Sequence, residues 1–319
     1  MISLEDIFLK EDSIIVSGGS GFIGFNFITF ILDNSNINVY VYRTKEINSK
    51  NSYRIKELKK YKNFKVINSN SLKDIAKPII AVINFASYGV DSSQKEISNL
   101  LDGNIIFALE LVNIAKKFNA KFIHTSTCYE YMDTNENIKE TMPLMPDSLY
   151  GAFKASASII LKEVCKAKKV NYVALRLFGV YGPNESGSKL IPYLYHNLNN
   201  NKEIRLTDGI QIRDYTHVID VAKAYLLVCF NSNDFEIYNV CSSQGVKIRD
   251  FILKFVEVNK CDPSLLQFGA KRMTENNFLR VVGDNTRMIN EYGWKPEVSL
   301  ESGLMQVFNS YKEMQSKQP

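Results

Sequence analysis

With 319 residues, 45 % of them apolar, the chain can form one large domain or two modest ones around an ordinary core. A net charge of +5, with lysines scattered or gathered on faces such as "KELKKYKNFK" (56–65), argues against nucleic acid and suits a small polyanion. Five cysteines without a C-x-x-C pair and three histidines exclude a zinc site of ordinary spacing, no apolar run reaches the ~18 residues of a membrane span, and the acidic start "MISLEDIFLKEDS" is unlike a signal peptide, so a cytoplasmic chain with no membrane partner is expected.

In chain order, "SIIVS" (13–17) predicts a buried strand ended by glycines, and "FIGFNFITFILD" (22–33) a helix. "NVYVY" (38–42), "FKVIN" (64–68) and "IIAVINFA" (79–86) predict three further strands. A long helix over roughly 95–118 leads to the strand "KFIHTST" (121–127). A loop with Pro143 and Pro146, a helix over about 149–168 and the strand "NYVALRLF" (171–178) follow. Apolar strands alternating with helices imply a parallel sheet covered on both faces, hence an α/β doubly wound (Rossmann) fold. After Phe178 the alternation stops at "GVYGPNESG". Residues 1–178 are read as the nucleotide-binding domain, with "EIYNV" (236–240) rejoining its sheet. Residues 179–319 are read as a smaller mixed α/β substrate domain.

"VSGGSGFIG" spaces Gly18, Gly21 and Gly24 three apart after a strand and at a helix start. That context, more than the glycines, predicts a dinucleotide pyrophosphate at the helix N-terminus. An NAD site places an acid at the end of the second strand to hold the ribose 2′-hydroxyl. Here the strand ends "VYRTKE", so Arg43, with Thr44 and Lys45, favours the 2′-phosphate of NADP(H), while Glu46 leaves NAD open. The bland alternative for Arg43 is a solvated loop charge.

Tyr150 and Lys154 in "SLYGAFKASA" are four apart and share a helix face. A phenol exchanges protons poorly at neutral pH, and an adjacent ammonium is expected to lower its pKa. "HTSTCYEY" supplies Thr125, Ser126 and Thr127 at a strand C-terminus, where ligands of such sheets sit.

With these motifs the chain resembles the extended short-chain dehydrogenase/reductases that act on nucleotide sugars. The resemblance runs through "GGSGFIG", "NFAS" (84–87), Asn104, "HTSTCYEY", "YGAFK", "LRLFGVYGP" (175–183), "LIPYL" (190–194), "GIQIRDYTHVIDVAKAY" (209–225) and "YGWKP" (292–296). It implies a catalytic set of Thr127, with Ser126 in reserve, Tyr150 and Lys154. It implies a cofactor site of Gly18, Ser20, Gly21, Phe22, Ile23, Gly24 and Arg43. Ser71, Leu72, Phe85, Ala86, Ser87, Asn104 and Phe178 would complete that site with Tyr150 and Lys154. The substrate would meet Tyr88, Thr127, Cys128 and Tyr129, then Asn184, Lys189 and Leu190. Arg213 and Arg280, less so Arg272, would take its diphosphate, because a forked guanidinium matches two phosphate oxygens. Gly179 stands where the family has an asparagine, which removes one substrate contact. His217 and Asp220 read as helix-start architecture.

The 4,6-dehydratases carry an Asp-Glu pair after the catalytic threonine; Cys128 and Tyr129 fill those places, which argues against dehydration. Arg43 favours a reductase, since NADPH is exchanged at each turnover. The nearest resemblance is to the CDP-abequose and CDP-paratose synthases, which reduce the C4 ketone of a CDP-4-keto-dideoxyhexose in surface-polysaccharide synthesis. A 4-epimerase with tightly bound NAD is the rival enzyme, and a catalytically silent NADP-binding regulator the rival from another class. Helices near 95–118 and 149–168 carry apolar residues beyond one seam, so a homodimer is expected.

Overall fold

The structure is a computed structural model, and it describes residues 2–43, 52–75, 77–91, 93–185, 187, 189–231, 234–272 and 278–316. A short helix α1 (Leu4–Phe8), capped by Ser3, precedes β1 (Ser13–Ser17). Then come α2 (Phe22–Asn34), β2 (Asn38–Tyr42), α3 (Ser52–Leu58), β3 (Phe64–Ile67) and β4 (Ile79–Asn84). The lysine-rich run after 56 is helical only to Leu58 and then turns into β3.

The expected helix over 95–118 is interrupted. It consists of α4 (Ile97–Leu101), a π turn over Asp102–Ile106 and α5 (Phe107–Phe118). Taken whole, Ile97–Phe118 is long and apolar enough to cross a bilayer, unlike what the run of residues suggested. Its place is nevertheless that of a layer helix: α5 packs on β4, and Glu110 bonds the Tyr42 hydroxyl. β5 (Lys121–Thr127), α6 (Leu149–Lys168) and β6 (Tyr172–Leu177) follow.

The second half contributes β7 (Gly179–Tyr181), α7 (Leu190–Asn199), β8 (Ile204–Arg205), β9 (Ile212–His217), α8 (Val218–Phe230) and β10 (Glu236–Val240). It ends with β11 (Gly245–Lys247), α9 (Ile248–Val258), β12 (Leu266–Gln267), β13 (Arg280–Val281), α10 (Thr286–Tyr292) and α11 (Leu300–Ser316).

Seven parallel strands in the order β10-β6-β5-β4-β1-β2-β3 form the main sheet. β1 and β5 are buried almost throughout because helices cover both faces: α2, α8 and α10 on one, α5 and α6 on the other. β10 joins the edge beside β6, as expected. The strand order reverses between β1 and β4, so a crevice opens at their C-terminal ends. A second core of α7, α9 and α11 packs beside the small sheet of β7, β9, β11 and β13. α8 and α10 lie on the main sheet instead, so the two halves interleave.

Candidate active site

The glycine loop closes that crevice. Gly18 has a φ of +71°, and a Cβ there would lie 2.5 Å from the Ala86 nitrogen. Only a glycine lets the loop seat on the end of β4. Gly21 caps α2 without a side-chain hydrogen bond, so the first turn of the helix, with Phe22, Ile23 and Gly24, keeps N–H groups for an anion. This cradle and open helix end fit a dinucleotide pyrophosphate. Ser71 and Leu72 sit on a 3₁₀ turn after β3, and Phe85 packs between Phe27 and Tyr225. Arg43 follows β2, half-buried, its N–H on Ile67 O (3.0 Å). Thr44, Lys45 and Glu46 lie outside the described residues.

Asn104 is buried in the π turn and spends its amide on the 87–88 segment. It donates to Tyr88 O (2.9 Å) and accepts from Ser87 Oγ (2.8 Å). It therefore shapes the loop that meets Tyr150. Phe178 lies in a small core with Cys128 and Tyr131.

α6 begins at Ser148, whose Oγ accepts from Gly151 N (3.0 Å), so the cap fixes Tyr150 in the first turn. A Cβ at Gly151 would stand 2.3 Å from Tyr129 O. The bare helix flank lets the turn after β5, which carries Thr127, press against α6. Thr127 Oγ1 accepts from Tyr129 N (3.3 Å). Lys154 is buried, with Nζ donating to Thr125 O (2.6 Å), and burial holds its pKa down to about 8. Burial pushes the half-buried Tyr150 phenol well above its ordinary value, against a hydrogen bond with Ser87. The lowering expected from Lys154 is not found: the ammonium is directed to the Thr125 carbonyl, and burial dominates the phenol. Tyr150 is therefore a held acid in this structure.

Beside it lies a cavity of about 570 Å³ walled by Gly89, Val90, Gln94, Tyr129, Tyr150, Arg213 and Phe278, among others. Arg213 reaches it from β9, and its charge acts to lower the Tyr129 pKa against the burial that raises it. Burial pushes the Cys128 thiol up to about 12, so it stays protonated. Tyr88 precedes the cavity wall and packs near Gly103. Lys189 caps α7, just before Leu190, and its Nζ donates to Val90 O (3.1 Å) across the cleft.

Two expected phosphate ligands are not among the wall residues, although Arg280 lies on β13 opposite Ile212, next to Arg213. Arg280 donates to Glu136 O (2.6 Å) and Asn137 Oδ1 (2.5 Å), and Arg272 is exposed. His217 caps α8 through Nδ1, and Asp220 accepts from Val298 N (3.0 Å), which is the architecture expected of them.

Four residues were missed. Arg54, buried on α3, donates to Ser20 O (2.9 Å) in the glycine loop and to Asn184 O (2.6 Å) in the loop after Pro183. Asn26 of α2 donates to Pro183 O (2.9 Å). Glu130 and Arg176 form a buried ion pair (2.7 Å) below Thr127. Glu130 next to the "TSTC" strand end and the arginine of "LRLF" were visible signals, since charges inside apolar runs need partners.

The NAD dependent epimerase/dehydratase family profile matches residues 14–241. The chain belongs to this family. Within it, the chain is 29 % identical to CDP-abequose synthase of Salmonella typhimurium over 94 % of its length and 98 % of that protein's. It is 28 % identical to UDP-glucuronate 4-epimerase of Thermodesulfobacterium geofontis over 94 % and 96 %. In fold it is similar to UDP-glucuronic acid 4-epimerase of Bacillus cereus, with a TM-score of 0.84 at 23 % identity over 95 % and 99 %. The dTDP-glucose 4,6-dehydratase of Bacillus anthracis, solved with NAD, has a TM-score of 0.82 at 24 % identity over 96 % and 98 %. The family match makes this chain an enzyme of the NAD-dependent epimerase/dehydratase class.

Proposed function

We propose that the chain is an NADPH-dependent reductase of the C4 ketone of a nucleotide-linked 4-keto-(di)deoxyhexose, serving surface-polysaccharide synthesis. Residues 1–178 with β10 would hold the cofactor and 179–319 most of the nucleotide. One observation carries the reading. The turn after Thr127 presents no carboxylate to the cavity: Thr127 is buried just behind the wall, Cys128 is a buried neutral thiol, Tyr129 lines the wall, and Glu130 is turned inward onto Arg176. Dehydration has no acid–base pair on that turn; the wall's two carboxylates, Asp91 and Asp147, come from other loops. Arg43 at the end of β2 and the likeness to CDP-abequose synthase favour reduction over epimerisation.

The bound nicotinamide supplies the hydride chemistry. The chain's residues do the rest. Tyr150 holds its proton through burial and gives it to the sugar oxygen as that oxygen becomes an alkoxide. Thr127 donates to the same oxygen. Lys154 would hold the nicotinamide ribose and keep positive charge near the phenol. Arg213 meets the diphosphate at the cavity wall.

NADPH oxidation with freshly made CDP-, dTDP-, UDP- and GDP-4-keto-6-deoxy sugars tests this reading. Consumption with one of them is expected. NAD that survives gel filtration together with C4 epimerisation, or cofactor binding with no turnover on any sugar, would overturn it in favour of the epimerase or the silent regulator.

A further inference from the structure

We propose that Glu130 is a positioning residue of the active site, whose buried carboxylate ties the turn bearing Thr127 to the inner face of α6 and serves as the counter-charge of Lys154. The assignment of Lys154 as a working residue comes from the reading above; the link between the two charges does not depend on it.

The carboxylate is wholly buried, and each oxygen is engaged. Oε1 accepts from Ser158 Oγ (2.8 Å) and Ser126 Oγ, and Oε2 from Arg176 Nε (2.7 Å). Arg176 Nη1 donates to the Tyr131 hydroxyl (2.7 Å), which donates to Asn239 Oδ1 (2.8 Å). Glu130 thus joins β5, β6, α6 and, through Tyr131, β10. Ser158 stands four residues after Lys154 on α6, so the two share a face. Glu130 itself ends the short turn that Thr127 opens. One group therefore sets the spacing between Thr127 and the Tyr150–Lys154 helix.

The charges around Lys154 point the same way. β5 presents His124, which burial keeps neutral, and the Thr125 carbonyl; β6 presents Arg176 and Tyr172; α6 presents Tyr150; α8 reaches Thr125 through Tyr225 (2.6 Å). Among these described neighbours Glu130 is the sole carboxylate. Glu130 pairs directly with Arg176, and burial pushes its own carboxyl up. It lies beyond ion-pair contact with Lys154, linked to it through Ser126 next to Thr125 and Ser158 one turn along α6, and at that range it acts against the burial that pulls the Lys154 pKa down. A buried ion pair is weak evidence for stability, because an apolar pair of similar volume usually serves as well. A carboxylate kept here has a further task in holding the lysine charged.

A double-mutant cycle tests this without any ligand. Glu130→Gln, Lys154→Met and the double variant are unfolded with urea near neutral pH and near pH 10. The expected result is coupling near neutrality that vanishes near pH 10, where Lys154 is neutral. Additive effects near neutrality overturn the proposal. Should Glu130→Gln fail to fold around an orphaned Arg176, the cycle is run in an Arg176→Met background with the same expected and overturning results. In the nicotinamide-cofactor affinity of Glu130→Gln, the alkaline loss should move down by about one pH unit, the low end of what a nearby opposite charge supplies. A packing role alone would leave that profile in place. A coupled cycle in a protein that reduces no keto sugar would sink the functional reading only; a working reductase with an additive cycle would sink this one.

Discussion

Replacing Tyr150 by phenylalanine removes one oxygen and keeps the ring on the cavity wall. Turnover should fall by ~10²–10⁴-fold, the usual contribution of a placed general acid, with the urea midpoint nearly unchanged. Steady-state rates that keep more than about a tenth of the wild-type value, above even the low end of that range, would remove Tyr150 from the mechanism. Lys154 has a sign that can be checked. Its pKa is lowered from 10.5 to about 8 on folding, so between those values the unfolded chain binds more protons. Stability should therefore rise with pH across that window, by at most about 1.4 kcal/mol per unit from this group, and stay level with respect to it below about 8. Lys154→Met should abolish that rise in urea unfolding followed from pH 8 to 10. Arg43→Asp should shift preference from NADP(H) to NAD(H), because a 2′-phosphate would meet a like charge. Equal preference before and after, by steady-state kinetics with both cofactors, would withdraw the NADP assignment.

Among elements, β1, β2, β5 and β10 span the residues expected of them, because each holds a short apolar stretch that the helix layers bury. The same burial hid other features. A π turn differs from an α-helix by one residue of slack, and Asn104 earns that slack by holding Tyr88 and Ser87, contacts no periodicity encodes. Gly151 reads as a poor helix residue until Tyr129 O is seen against it. The Arg54 strap spans 34 residues to Ser20 and 130 to Asn184, so no local pattern could reveal it. It ties the loop that seats the cofactor to the loop before α7. Arg54→Ala would orphan two backbone carbonyls and is expected to cost ~1–3 kcal/mol for each one left buried and unpaired. It should weaken cofactor and nucleotide binding together, measurable by calorimetry with each ligand. Loss of one affinity alone would mean that the two loops stand independently.

For the whole molecule, one surface lacks an obvious reason to face water. Ile97, Leu101 and Ile106 on the α4–α5 helix and Ile159 and Ile160 on α6 are 38–61 % exposed. A homodimer pairing these helices would cover them. Light scattering that gives only the 36.4 kDa monomer across micromolar concentrations would contradict it. The π turn places Asn104 and Ile106 two residues apart in one helix: the first grips the segment beside Tyr150, and the second is exposed on the flank a twin would cover. Contacts made on that flank would reach the segment beside Tyr150 through this single turn. The enzyme should lose specific activity on dilution before it loses its fold, so its output would rise faster than in proportion to the amount the cell makes.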